Sequence, residues 1–331
     1  MCTRRSSSSP NTIEFLPIFR YIGPMKIKPL IFLAVLFLCS IAQAVIIAGG
    51  DGSGNTTGDG VVGWDYVGKI SAANGAPSSV TYLGDSWFIT AYHVKQLDNP
   101  TGVVLNANFY TIDSSSWKRI TNSTGSGADL ALFRVTNSID GLSTVSIANS
   151  TPVNGSPLTM IGNGRNRAAA STTWYVDTTP STWVWSVTNF AGADAMAGGY
   201  QYAAGSTKRW GSNTVDGSVA GLNDGFGVTD TFYADFDNVS GQAQGATYDS
   251  GGGVFTGTTN NWELAGVLLT VATYNNQPAN TAVFGDVTYV ADLSVYKDQI
   301  NQVIPEPTTG VLLAGIGILF GVIKRLRYMH Q

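Results

Sequence analysis

The stretch that decides the fold is "GATYDSGGGVF", residues 245–255, in which Ser250 follows an aspartate and precedes three glycines. A serine hydroxyl is a poor nucleophile unless a positioned base removes its proton, so a reactive Ser250 requires a histidine and usually a buried acid. The alternative is an ordinary serine in a flexible turn, since 39 of the 331 residues are glycine. Other segments must decide between these interpretations.

The choice of base is narrow because the chain contains two histidines. His330 belongs to a basic terminal tail, which leaves His93 in "WFITAYHV", near the end of an apolar strand. A single histidine in such a place is often structural. Asp129 in "GADLALFRV" directly precedes an apolar strand that could bury its carboxylate against the histidine. These positions predict a His93, Asp129 and Ser250 constellation.

Taken in order, "ITAYHV", "ADLALFRV" and "YDSGGGVF" resemble the segments around the active site of the chymotrypsin-like (trypsin-like) serine proteases. Later, "ELAGVLL", "TAVFGDV" and "YVADLSVYKDQI" resemble that family's last strands and terminal helix. The resemblance covers most of residues 78–303. It implies an all-β fold of two antiparallel six-stranded β-barrels with the site between them, followed by a C-terminal helix.

The resemblance implies a serine endopeptidase that needs no cofactor and works through an acyl-enzyme. His93 would be the general base and then the acid, Asp129 would orient it, and Ser250 would attack the peptide carbonyl. The backbone N–H groups of Tyr248 and Ser250 would form the oxyanion hole, and Asp249 would pair with a freed N-terminus. Tyr248 stands where the family has glycine, which favours the alternative of an inactive protease-fold binding or extracellular-matrix protein. A β-rich adhesin with coincidental motifs is the third interpretation.

The resemblance also suggests a specificity pocket. Gln244, six residues before Ser250, would form its floor, and Leu269 and Val271 stand in the segment that replaces the family's common Ser-Trp-Gly. A neutral amide cannot pair with a cationic side chain as a buried carboxylate does. We therefore expect weak cleavage after lysine or arginine.

Composition excludes several other functions. Charged residues make up 12% of the chain, the net charge is −4 and the pI is about 5.1, so no nucleic-acid footprint is present. No HExxH motif or Cys/His pair has metal-ligand spacing, so no metal is predicted. "IGNGRNRA", with Gly162 and Gly164, lacks a phosphate-binding signature and is interpreted as a turn. Short apolar runs between Gly, Asn, Asp and Ser clusters predict strands, and "ADLSVYKDQINQVI" predicts one helix that Asp292 could cap.

Residues 1–44 are expected to be removable. Met25 is the expected true start, and it opens a basic, then apolar segment that ends in Ala42-Gln43-Ala44, as in a secretory signal peptide. The alternative is an uncleaved membrane anchor. Both cysteines, Cys2 and Cys39, lie in this segment, so the mature chain is expected to have no disulfide. Cleavage would expose Val45 in "VIIAGG", which loosely resembles the family's new N-terminus; whether the chain uses one is left open.

The other end resembles the PEP-CTERM sorting tail of secreted bacterial proteins. Pro305, Glu306 and Pro307 precede an apolar run from 310 to 323 and a basic terminus. The resemblance implies transient membrane association, an exosortase-type processing enzyme, and a destination at the cell surface or in the extracellular matrix. A plain C-terminal anchor is the alternative. The expected domains are residues 1–44 (extension and signal peptide), 45–303 (protease-like) and 304–331 (sorting tail).

Overall fold

The structure is a computed structural model that describes residues 45–304. The predicted signal peptide and the sorting tail with Pro305, Glu306 and Pro307 lie outside the described residues. Among the described helices, none has the length and apolar character required to cross a bilayer.

The described part of the chain is built mainly of strands. In chain order they are Ile46–Ile47 (β1), Val67–Ala72 (β2), Ser79–Gly84 (β3), Trp87–Thr90 (β4), Pro100–Leu105 (β5), Asn108–Thr111 (β6), Lys118–Thr121 (β7), Gly127–Arg134 (β8), Pro157–Gly162 (β9), Arg165–Arg167 (β10), Thr172–Asp177 (β11), Val184–Ser186 (β12), Ala195–Ser206 (β13), Arg209–Thr214 (β14), Gly217–Asn223 (β15), Val228–Asp235 (β16), Ala243–Gln244 (β17), Gly253–Thr258 (β18), Asn261–Ala272 (β19), Thr281–Val283 (β20) and Val287–Asp292 (β21). The helices are Tyr92–Asp98 (α1) and Leu293–Val303 (α2), with a 3-10 turn at Trp64–Tyr66.

Two antiparallel sheets carry most of these strands. The first has the order β6-β5-β2-β3-β4-β8-β7 and the second the order β14-β9-β18-β19-β21-β16-β15. The predicted all-β fold with a C-terminal helix is confirmed. Within residues 45–304 each of these sheets has seven strands, where the resemblance implies six.

The first sheet and the terminal helix share one core. Every residue of β3 is buried, and the stacked rings of Phe88 and Phe133 have centroids 5.6 Å apart. Helix α2 inserts Leu293, Tyr296 and Ile300 into this same cluster. Its start is fixed as the sequence predicts, because the Asp292 carboxylate accepts the Ser294 N–H at 3.0 Å.

The least patterned part of the sequence forms a further sheet. Strands β10, β11, β12, β13 and β20 make up this five-stranded sheet, and its β13 is rich in glycine and alanine. Trp174 is buried in it, whereas Trp183 and Trp185 pack against Tyr274 on the loop after β19. Small residues give a weak strand pattern, which explains why periodicity did not reveal these elements.

Candidate active site

His93 and Asp129 form a hydrogen-bonded pair on the first sheet. Strand β4 ends at Thr90, and His93 follows in the first turn of α1, while Asp129 lies in the neighbouring strand β8. The Asp129 carboxylate accepts the His93 backbone N–H at 2.8 Å and lies 2.6 Å from His93 Nδ1. Because a carboxylate can only accept a hydrogen bond, this contact requires that the imidazole proton be on Nδ1. Nε2 is thereby left as a proton acceptor.

Ser250 comes from the second half of the molecule and lines the same cavity as His93. This cavity, of about 360 Å³, is bordered by His93, Ser250 and residues of β19 and of the loop after it. Within residues 45–304, the Ser250 hydroxyl donates its hydrogen bond to the Leu269 carbonyl at 3.1 Å and not to His93. Transfer of the Ser250 proton to His93 therefore requires the hydroxyl to rotate away from Leu269.

The turn that carries Ser250 forces Tyr248 into a left-handed conformation. The Asp249 N–H donates to the Ala246 carbonyl at 2.9 Å, and Tyr248, third in this four-residue turn, has a φ of 79°. A positive φ at that position is typical of a type II turn, where glycine is preferred. Tyr248 thus adopts the backbone angle that glycine would give, at a steric cost.

The directions of the Tyr248 and Ser250 N–H groups are fixed by hydrogen bonds to the carbonyl groups of the same two peptide units. The carbonyl of Thr247 accepts the Arg165 N–H at 2.8 Å, and that of Asp249 accepts the Gly252 N–H at 2.8 Å. Because the N–H and C=O of a trans peptide point in opposite directions, the N–H groups of Tyr248 and Ser250 face away from those donors. Neither N–H has a hydrogen-bond partner in the part of the chain that the structure describes. They are free to bind an anionic oxygen.

Asp249 is buried beneath the turn. Its carboxylate accepts the Gly164 N–H at 2.7 Å, the Ala246 N–H at 2.8 Å and the backbone N–H of Val45. Burial raises the pKa of Asp249 to about 7, and these three hydrogen bonds only partly oppose it. A cation beside this carboxylate would remove the cost of its burial.

Gly162 and Gly164 have a packing role that sequence analysis missed. A Cβ atom on Gly162 would lie 2.0 Å from the Asp249 carboxylate, and one on Gly164 would lie 2.6 Å from it. The two glycines make room for the buried acid, so the interpretation of a plain turn was incomplete. This role depends on a tertiary contact with Asp249, which the local sequence around the two glycines does not reveal.

The predicted specificity residues lie at different depths. Leu269 and Val271 line the cavity, whereas Gln244 is fully buried in β17 and donates to Asp286 at 3.2 Å. Asp286 also accepts from Gln277 at 3.0 Å and from the Val283 N–H at 2.9 Å, and burial raises its pKa. Sequence analysis missed this buried acid, which is hydrogen-bonded to Gln277 of the cavity lining.

One further acid, Asp224, also lines the cavity next to His93. Polar atoms of His93, Asp129 and Asp224 all lie within 4.8 Å of one another. The structure thus places His93 and Ser250 on one cavity, with Asp129 buried against His93, and adds an acid without a motif of its own. The catalytic roles of these residues stay predictions.

Comparisons with known proteins give remote structural likenesses. No family model matches the chain, and no curated protein matches it. Among solved structures, an inactive form of a serine-to-alanine mutant of Rv3671c from M. tuberculosis has 12% identity and a TM-score of 0.45, covering 78% of this chain and 96% of that one. The inactive form of the Rv3671c protease has 13% identity and a TM-score of 0.42, covering 73% and 90%. A mutant of human heparin binding protein has 14% identity and a TM-score of 0.45, covering 74% and 93%.

Proposed function

We propose that residues 45–303 form a serine endopeptidase that hydrolyses peptide bonds through an acyl-enzyme on Ser250. The observation that carries the proposal is the 2.6 Å contact between His93 Nδ1 and buried Asp129, at the cavity that Ser250 also lines. His93 is the only histidine among residues 45–304, and it is held in the tautomer that a general base requires.

The reaction would proceed in two steps on these groups. Ser250 Oγ rotates from Leu269, gives its proton to His93 Nε2 and bonds to the substrate carbonyl carbon, whose oxygen is held by the N–H groups of Tyr248 and Ser250. His93 returns the proton to the departing amine. Water then attacks the acyl-enzyme with His93 again as base, which releases the acid product and restores Ser250.

We place the mature N-terminus at Val45, which would follow removal of the predicted signal peptide. Val45 is buried, its nitrogen contacts the Asp249 carboxylate, and its φ is 40°, a strained value for a β-branched residue. Cleavage before Val45 would abolish this strain, since the first residue of a chain has no φ. It would also convert the amide into an ammonium that neutralises Asp249, as the family resemblance implies.

The sequences at the two ends of the chain support a proposal for where the protein is exported. We propose export through the inner membrane of a bacterium, transient membrane association through the C-terminal segment, and cutting near Pro305, Glu306 and Pro307 by an exosortase-type enzyme. The destination is the cell surface or the extracellular matrix. Protein or peptide substrates would meet the enzyme there.

The test is labelling of the purified protein with a fluorophosphonate, which bonds to an activated serine with loss of fluoride. We expect labelling at Ser250, and we expect Ser250→Ala and His93→Ala to abolish it. Ser146→Ala is a matched control because Ser146 is exposed and does not line the cavity. Equal labelling of Ser250→Ala and the wild type would remove Ser250 from the proposal.

The second candidate is an inactive protein of protease-like fold that binds partners. One observation favours it: the Ser250 hydroxyl donates its hydrogen bond to the Leu269 carbonyl at 3.1 Å and not to His93. A folded, correctly processed protein that fails to react with the fluorophosphonate would select this candidate.

A further inference from the structure

The loop between β15 and β16 reaches across from the second sheet to cover the His93 and Asp129 pair. The Asp129 N–H donates to Thr229 Oγ1 at 2.9 Å, and a Cβ atom on Gly227 would lie 2.4 Å from the Asp129 nitrogen. The ring of Phe226 lies 5.1 Å from the His93 ring. The loop is therefore fitted closely to the acid of the pair.

Asp224 is the residue of this loop that bears on the chemistry. Its carboxyl group lies within 4.8 Å of the polar atoms of Asp129 and His93, and its Oδ1 accepts the N–H groups of Phe226 at 2.9 Å and Gly227 at 3.0 Å. A nearby carboxyl group disfavours a second negative charge at the same place. Burial, and then the Asp129 carboxyl, raise the pKa of Asp224.

His93 Nδ1 and Asp129 Oδ2 are closer together than two ligands of one metal ion. Ligand atoms at about 2.0–2.1 Å from a tetrahedral zinc ion lie about 3.3 Å apart. The 2.6 Å between His93 Nδ1 and Asp129 Oδ2 is instead the distance of a charge-assisted hydrogen bond. A shared hydrogen, and not a metal ion, fits between His93 Nδ1 and Asp129 Oδ2.

We propose that Asp224 is a positioning residue for the proposed proteolytic reaction: as a neutral acid it donates its O–H to Asp129 and fixes the carboxylate that orients His93. This role rests on the function proposed above. It couples the loop of the second sheet to the base on the first sheet. Neither the sequence motifs nor the resemblance includes Asp224.

The proposal gives activity an additional dependence on pH. Ionisation of Asp224 removes the donor and places a second negative charge beside Asp129 and His93. Charged or titratable groups near this loop in residues 45–304 include Arg119, which donates to the Phe226 carbonyl, Tyr92, whose ring lies 4.0 Å from the Arg119 guanidinium, and Asp230 of the same hairpin. Activity should therefore decline as Asp224 loses its proton.

The test compares Asp224→Asn and Asp224→Ala with the wild type. An asparagine amide can donate to Asp129 and keep the two loop hydrogen bonds, and it cannot ionise. We expect its fluorophosphonate labelling rate near neutral pH to stay within about threefold of the wild type, and the rate of Asp224→Ala to fall about ten- to a hundredfold. The ratio of the Asp224→Asn rate to the wild-type rate should rise from about pH 5 to about pH 9.

Asp230→Asn serves as the control for the loop, because Asp230 supports the same hairpin by accepting the Gly221 N–H at 2.7 Å. It should label at the wild-type rate, and thermal unfolding should show that all variants are folded. If Asp224→Ala and Asp224→Asn react equally at every pH, the positioning role is wrong.

A second readout separates this proposal from the proposed function. In a His330→Gln background His93 is the sole imidazole, so its Nδ1–H proton resonance can be identified directly by NMR. Asp224→Asn should retain this resonance, and Asp224→Ala should broaden it by exchange, whether or not the protein labels. An unchanged resonance in Asp224→Ala would overturn the positioning role even for an active enzyme.

Discussion

The N-terminus proposed at Val45 predicts a large, pH-dependent difference in stability between two forms of the protein. One form begins at Val45 and the other keeps Ala44 before it. In the second form the Val45 nitrogen is an amide, so Asp249 remains a buried acid without a cation. In the first form an ammonium can pair with it.

The magnitude follows from the pKa of Asp249. Burial raises this pKa from 3.8 to about 7. At 1.36 kcal/mol per pH unit the rise corresponds to about 4 kcal/mol. Because the pKa is raised in the folded state, the folded protein binds the proton more tightly than the unfolded chain. The contribution of Asp249 to stability is therefore present below pH 3.8 and is lost as the pH rises to about 7.

In the form that begins at Val45, the ammonium lowers the pKa of Asp249 and prevents this loss until the ammonium itself deprotonates. We expect this form to be more stable than the Ala44 form by up to about 4 kcal/mol near neutral pH, with the two converging in acid. Urea unfolding, followed by tryptophan fluorescence at several pH values, measures the difference. Asp249→Asn in both forms is the control and should remove most of it. Equal unfolding free energies at neutral pH for the two parent forms would refute the buried ion pair.

Three further changes test other parts of the site. Tyr248→Gly should raise the free energy of unfolding by about 1 kcal/mol, because the left-handed strain that it removes, about 1–2 kcal/mol, exceeds the cost of the added entropy of the unfolded chain. Its labelling rate should equal or exceed that of the wild type. A peptide library should show preferred cleavage after uncharged residues, since Gln244, the residue predicted for the pocket floor, is a neutral amide that cannot pair with a cation as a carboxylate does; a profile dominated by arginine and lysine would contradict this. Intact-mass analysis of the native protein should find a species without residues 310–331, and a chain ending at Ile304 should keep the labelling rate of the full chain; only full-length protein in the inner membrane would reject the sorting role.

Local sequence patterns predicted the strands and the helix cap, because these features depend on residues that are close together in the chain. The β-branched and aromatic runs around β3, β4 and β8 became buried strands, and Asp292 caps the terminal helix. The motif that contains Tyr248 also indicated a backbone conformation that favours glycine, and Tyr248 has a φ of 79°. Each of these features depends on neighbouring residues or on one short turn.

The features that sequence analysis missed depend on contacts between distant segments. Gly162 and Gly164 look like ordinary turn residues until Asp249 packs against them. Asp224 stands in "GLNDGFG", a segment whose glycine, asparagine and aspartate predict only a turn. Asp224 comes close to the active-site pair because the loop packs against Asp129. Hydrophobic periodicity cannot predict this long-range contact.

The two halves of the site are held in register by polar contacts across the sheets. His93 and Asp129 belong to the first sheet, whereas Ser250 follows β17. The N–H of Ser79 in β3 donates to the carbonyls of Tyr248 at 3.0 Å and Ser250 at 3.2 Å, which fixes the serine turn against the first sheet. Thr229 of the second sheet accepts the Asp129 N–H at 2.9 Å. Because the serine turn and the acid are each hydrogen-bonded across the boundary between the sheets, the distance between the base and the nucleophile depends on how firmly these contacts hold the two sheets together.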